Sequence, residues 1–173
     1  GKERAARYAR EHGVPYLGIC LGMQIAVIDF ARSVLGLSQA DSTEFNPDTP
    51  DPIIHLMDDQ QGKIQTGGTM RLGAYDCRLT EGTKARALYG RQDVVERHRH
   101  RFELNNDYRG RLEAAGMAVA GVNPERDLVE VVELKNHPWF VACQYHPEFK
   151  SRPNRPHPLF AGLVGAAIEY KGK

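Results

Sequence analysis

Five residues, Gly18-Ile19-Cys20-Leu21-Gly22, stand between a short apolar run at 14–19 and a longer one at 21–35. The first run is opened by Pro15 and suits the start of a buried strand. The second, LGMQIAVIDFARSVL, is apolar around most of its circumference, as a helix buried against a sheet is, and Gly36 stops it. A strand that becomes a helix over so few residues must bend sharply, with Cys20 at the bend. Upstream, residues 3–11 are strong helix formers ending at His12-Gly13. Helix, strand, tight turn, helix is the βα grammar of an open, mostly parallel sheet, so the chain falls in the α/β class.

Further along, Pro, Asp and Asn crowd residues 46–61, which read as loop with a short element at 53–57. Gly67-Gly68 marks a turn before an extended run at 70–77, and 94–103 also reads as extended. Two β-rich runs, 117–122 and 128–134, flank the turn signal Asn123-Pro124-Glu125-Arg126-Asp127. Residues 139–145 make a third strand, and 159–170 an amphipathic closing helix.

The 173 residues are one domain's worth, and 41% hydrophobic with 26% charged residues excludes a disordered chain. A net charge of +1 speaks against nucleic acid or a membrane surface as the main partner, and no apolar stretch is long enough to span a bilayer. Three cysteines without framework spacing fit a reduced, cytoplasmic protein. Gly1 is not an initiator Met and the first helix is already under way at Glu3, so a longer parent chain is expected.

G-x-C-x-G is the cysteine form of a nucleophile elbow. Glycines on either side are expected because a Cβ would clash at the bend, and the sulfur would sit at a helix N-terminus, where partial positive charge favours thiolate. The Leu21 N–H would face a developing oxyanion. Cys77 and Cys143 read as small buried hydrophobes. A thiolate needs a base, and of seven histidines only His146 ends an apolar strand with a carboxylate, Glu148, two residues on. In His146-Pro147-Glu148 the proline stiffens the turn so that the carboxylate can orient the imidazole. In Glu96-Arg97-His98-Arg99-His100-Arg101-Phe102-Glu103 a strand would put the arginines on one face and the histidines on the other, and one arginine could clamp a substrate carboxylate. Zinc spacing is absent there.

PYLGICLGMQ followed much later by CQYHPEF resembles the glutaminase domain of class I (triad) glutamine amidotransferases. STEF at 42–45, GGTMRLG at 67–73, VERHRHRFELNN at 95–106 and NHPWFVACQYHPEF at 136–149 resemble the CTP synthase branch of that family. The resemblance implies a three-layer, flavodoxin-like α/β sheet with flanking helices. Its catalytic residues would be Cys20, His146 and Glu148. Leu21, Gly22, Met23 and Gln24 would line the glutamine pocket, with Glu44 on the substrate's ammonium and Arg101 on its α-carboxylate. It implies hydrolysis of L-glutamine through a thioester, with ammonia passed to a synthase domain of the same chain. There ATP and Mg2+ would serve the amination of UTP to CTP, GTP would act as allosteric activator, and the full protein would be a homotetramer. No metal or cofactor is implied for residues 1–173 themselves.

In that family a glycine-rich loop with a second oxyanion donor, and earlier strands of the sheet, precede the residue aligned with Gly1. The domain is therefore expected to be partial at its N-terminal side, and the loop at 57–67 to be short. Another triad amidotransferase, a γ-glutamyl hydrolase, or an inactive amidotransferase-like module remain alternatives on sequence alone.

Overall fold

The computed structural model describes residues 1–56 and 70–172. The elements are α1 (Lys2–His12), β1 (Tyr16–Ile19), α2 (Leu21–Ser33), β2 (Ala40–Ser42), β3 (Asp51–Leu56), β4 (Arg71–Leu79), α3 (Lys84–Tyr89), β5 (Asp93–His100), β6 (Phe102–Leu104), α4 (Arg109–Ala114), β7 (Met117–Asn123), β8 (Leu128–Leu134), β9 (Phe140–Cys143) and α5 (Pro158–Lys171). Single 3-10 turns stand at Asn106–Tyr108 and Pro147–Phe149.

The larger sheet has the order β1-β9-β8-β7-β4-β5, and β2-β3-β6 form a smaller one. In the larger sheet β1 pairs with β9 in parallel, whereas the β9–β8, β8–β7, β7–β4 and β4–β5 ladders are antiparallel. The expected α/β class with flanking helices is found, but the sheet is mixed where a mostly parallel one was expected. The βα grammar at residues 3–35 describes the parallel edge correctly. Everything between β4 and β9 is joined by turns and short helices, which suit antiparallel neighbours.

Every residue of β8 is buried, because helices cover both faces of the sheet. On one side α1 and α2 pack Ala6, Met23, Val27 and Ile28 against Val119, Val129 and Phe140. On the other, Leu159 of α5 and Ala85 of α3 join Cys77, Val131, Val141 and Tyr145. α1 ends as the sequence predicts, with Gly13 in the left-handed region (φ 66°). The buried Asp29 of α2 is held by Arg7 Nε at 2.7 Å and Arg10 Nε at 3.1 Å, tying the two helices together. The β7–β8 hairpin turns at the predicted residues, with Asp127 at φ 52°.

Several expectations need amendment. The closing helix is not amphipathic: Val164 and Ile168 are 58% and 69% exposed, so its outer face is apolar too. The element expected at 53–57 is the longer β3, starting at Asp51, and position 57 lies outside the described residues, as do the Gly67-Gly68 turn and the 57–67 loop. The helices α3 and α4 and the strand β2 were not foreseen. They are 6, 6 and 3 residues long, too short to establish a period. Among the described residues no helix is long and apolar enough to cross a membrane.

Gly18 is fixed by contact. A Cβ there would lie 2.9 Å from the Ala142 Cβ on β9 and 2.9 Å from the backbone of Gly22. Both obstacles are rigid, so β1 would have to move away from β9. Gly18→Ala is expected to destabilise the fold by about 1–3 kcal/mol, the usual range for an overpacked core, as read by denaturant titration.

Candidate active site

Cys20 has φ 51° and ψ −107°, a left-handed conformation that only a well-held non-glycine residue keeps. Three backbone hydrogen bonds hold it. Its N–H donates to the Cys143 carbonyl at 2.8 Å, continuing the β1–β9 ladder by one residue. Its carbonyl accepts from Met23 N–H at 3.0 Å and Gln24 N–H at 3.2 Å, which starts α2. The expected clash on both sides holds for Gly18 alone. A Cβ on Gly22 would meet only the Tyr16 hydroxyl at 3.9 Å, an ordinary contact.

A cleft of about 420 Å³ opens beside the sulfur, lined by Cys20, Leu21, Gln24, Glu44, Phe45 and Arg101 among others. Glu44 follows β2, and its N–H donates to Ser42 Oγ at 3.2 Å. Arg101 sits at the bend between β5 and β6, where the chain passes from one sheet to the other. An acidic and a basic side chain thus border one cavity with the cysteine. Of the four consecutive residues expected to line it, Leu21 and Gln24 do. Met23 is wholly buried in the core, and Gly22, whose carbonyl accepts from the Tyr16 hydroxyl at 3.0 Å, is not in the lining.

His146 leaves β9 on the side where Cys20 leaves β1. The parallel register pairs Ile19 with Cys143, and both strands run on toward the same end of the sheet. The His146 backbone N–H donates to the Arg97 carbonyl at 2.8 Å, which fastens the turn to β5. Its Nδ1 lies 2.6 Å from Glu148 Oε1. An ionised carboxylate only accepts, so Nδ1 carries the proton and Nε2 keeps its lone pair. That Nε2 is buried and has no hydrogen-bond partner. A base with a fixed tautomer and an unused lone pair can take a proton from a thiol.

The electrostatics of the sulfur differ from expectation. Burial pushes the Cys20 thiol above its usual value, and Glu103 and Glu148 add to this; the Leu21 N–H and the Gln144 amide act against it. The helix terminus therefore does not by itself produce a resting thiolate, because desolvation outweighs it. Cys77 and Cys143 are fully buried, as expected, and burial raises both thiols further still.

The predicted alternation in β5 is present, with Arg97 and Arg99 exposed and His98 and His100 buried. Sequence reasoning missed what the buried face meets. Glu103 accepts from His100 Nε2 at 2.7 Å and from Arg71 Nη1 at 3.1 Å, and Arg71 Nη2 donates to Glu130 Oε1 at 2.8 Å. Arg71, Glu103 and Glu130 come from three strands far apart in sequence, so no local pattern reports them. This network braces His100 just before Arg101 and Glu103 two residues after it. Among the described residues, no cluster of His, Cys, Asp and Glu is arranged to hold a metal ion.

The family profile described as glutamine amidotransferase class-I matches residues 1–166. The chain belongs to that family. Among curated amidotransferases, the CTP synthase of Moorella thermoacetica is 61% identical over 172 residues, which is 99% of this chain but 32% of that protein. The chain thus spans about a third of the length of such relatives. The solved glutaminase domain of Trypanosoma brucei CTPS, with bound acivicin, superposes with a TM-score of 0.92 at 38% identity, covering 97% of this chain and 65% of that one. A putative GMP synthase subunit from Thermoplasma acidophilum, 16% identical with a TM-score of 0.61, shares the amidotransferase fold and covers 66% of its own chain.

Two tests address the buried charges beneath the cleft. Arg71→Met leaves Glu103 and Glu130 without their cation and is expected to cost about 3–5 kcal/mol of stability in denaturant unfolding. The second concerns pH. Burial, with Arg71 nearby, pushes His98 down to about 2. The unfolded histidine takes up a proton near pH 6.5 while the folded one stays neutral, so its contribution is intact above that pH and is lost as pH falls below it. Unfolding measured between pH 7.5 and 5 should show a decline, and His98→Gln should remove up to about 1.4 kcal/mol per pH unit of it.

Proposed function

We propose that this domain hydrolyses the side-chain amide of L-glutamine, with Cys20 as nucleophile, His146 as base and acid, and Glu148 as the residue that orients His146. The observation that carries this reading is the convergence on one cleft of a strained cysteine, a carboxylate at Glu44 and a cation at Arg101. A free amino acid presents one ammonium and one carboxylate at fixed separation, and Glu44 and Arg101 are suited to them in that order. Leu21 and Gln24, which border the cleft, complete the substrate site, and Gly22 and Met23 stand between them in the first turn of α2.

The Cys20 thiol gives its proton to His146 Nε2 as the sulfur bonds to the amide carbon. The tetrahedral oxyanion is met by the Leu21 N–H at the start of α2. Breaking the C–N bond releases ammonia, which takes the proton held by His146, and leaves a glutamyl thioester. Water, deprotonated by His146, then attacks the thioester carbon, and glutamate leaves as the sulfur recovers its proton. Because the resting thiol is raised by burial, the sulfur is activated within the step.

The 61% identity to a CTP synthase supports a destination for the ammonia. In this reading it aminates UTP to CTP in a synthase domain of the same chain, outside the residues described. That domain would use ATP and Mg2+, with GTP stimulating glutamine hydrolysis, in a cytoplasmic homotetramer.

In the full-length protein, Cys20→Ala is expected to lower glutamine-dependent CTP formation by at least about 1,000-fold, while ammonia supplied directly still supports the reaction. Glutamine-dependent synthesis surviving in that variant would overturn the reading of Cys20.

A further inference from the structure

Gln144 follows β9 and is wholly buried, one residue past the Cys143 carbonyl that holds the Cys20 backbone. Its backbone N–H donates to the Glu130 carbonyl at 2.8 Å. Its side chain joins two partners. Nε2 lies 3.6 Å from Cys20 Sγ, and Oε1 lies 3.1 Å from Gln24 Nε2. Gln24 Nε2 also donates to the Phe102 carbonyl at 3.0 Å.

Amide orientation is usually ambiguous, but here it is determined by chemistry. The Phe102 carbonyl can only accept, so the Gln24 atom facing it must be nitrogen. With nitrogen there, the Gln144 atom that Gln24 meets must be oxygen. Gln144 therefore presents N–H to the Cys20 sulfur. A carbonyl next to Arg101 thus sets, through two amides in series, which end of Gln144 faces the nucleophile.

We propose that Gln144 is a positioning residue for the nucleophile: it holds the Cys20 sulfur over the cleft and donates a hydrogen bond that strengthens as the sulfur gains negative charge, with Gln24 fixing its orientation. An N–H directed at sulfur is worth more to an anion than to a neutral thiol. A thiol already raised by burial needs such a donor, because Glu103 and Glu148 both disfavour its charge. The other charged or titratable groups about the sulfur are Glu44, Arg99, His100 and Arg101 in the cleft lining and His146 beyond β9. All of them remain when Gln144 is changed. Gln24 then has two duties. Its nitrogen is committed to Phe102 and Gln144, which leaves only its oxygen for a substrate.

The proposal rests on Cys20 being the nucleophile, so the test separates the two. In the full-length protein, iodoacetamide labelling of Cys20 is followed against pH by peptide mass spectrometry for the unmodified protein, Gln144→Met and Gln144→Glu. Gln144→Met is expected to move the labelling midpoint up by about one pH unit, and to lower kcat for glutamine about 10–100-fold with KM within about 3-fold. Gln144→Glu, of the same size, should move the midpoint further up. If Gln144→Met does not fold, as its thermal midpoint would report, the Gln144→Glu shift decides. A midpoint unmoved in the folded variants overturns the role of Gln144 even where Cys20→Ala abolishes glutamine turnover. Glutamine turnover persisting in Cys20→Ala would instead remove the reading beneath it.

Discussion

Parallel pairing of β1 with β9 is the constraint from which the site follows. Two strands running the same way deliver their next residues to the same end of the sheet, and the bond from Cys20 N–H to the Cys143 carbonyl extends that pairing one residue beyond the strand. Cys20, Gln144 and His146 are therefore positioned by the same ladder. Antiparallel pairing would send the cysteine and the histidine to opposite ends. Gly18 permits the close approach that the pairing needs, and α2 leaves the bend at once because the Cys20 carbonyl already accepts its first helical bonds.

The buried charges under the cleft serve the opposite wall. Desolvating Arg71, Glu103 and Glu130 is unfavourable, and an apolar core of the same volume would often be as stable. What the network provides is definition at the bend between β5 and β6. Glu103 grips both Arg71 and His100, so the backbone on each side of Arg101 is held while its side chain remains exposed. Burial also drives Glu130 up to about 8, against the pull of Arg71.

Much of this was legible in the sequence. Local grammar announced α1, β1 and α2, and the elbow between them. The turn signal at 123–127 announced the β7–β8 hairpin, and alternation in residues 96–101 separated the arginines from the histidines, though not which face is buried. Glu148, two residues after His146, foretold the bond that fixes the imidazole. The antiparallel character of most of the sheet was hidden because strand direction depends on connections, and the short helices α3 and α4 carry no usable period. The buried charge network was hidden because Arg71 and Glu130 lie 32 and 27 residues from Glu103 along the chain. Flanking glycines correctly implied a crowded bend, but only Gly18 is crowded. Thiolate chemistry was inferred from the helix terminus, and burial reverses it at rest.

That reversal has a consequence for how the site endures in a cell. Oxidants attack thiolates far faster than thiols, so a cysteine whose thiol is pushed up by burial is a slower target for peroxide than a resting thiolate. Cys77 and Cys143 are sealed in the core, away from oxidants in solvent. Cys20 is then most open to oxidation while it carries negative charge, which confines the risk to the reaction itself.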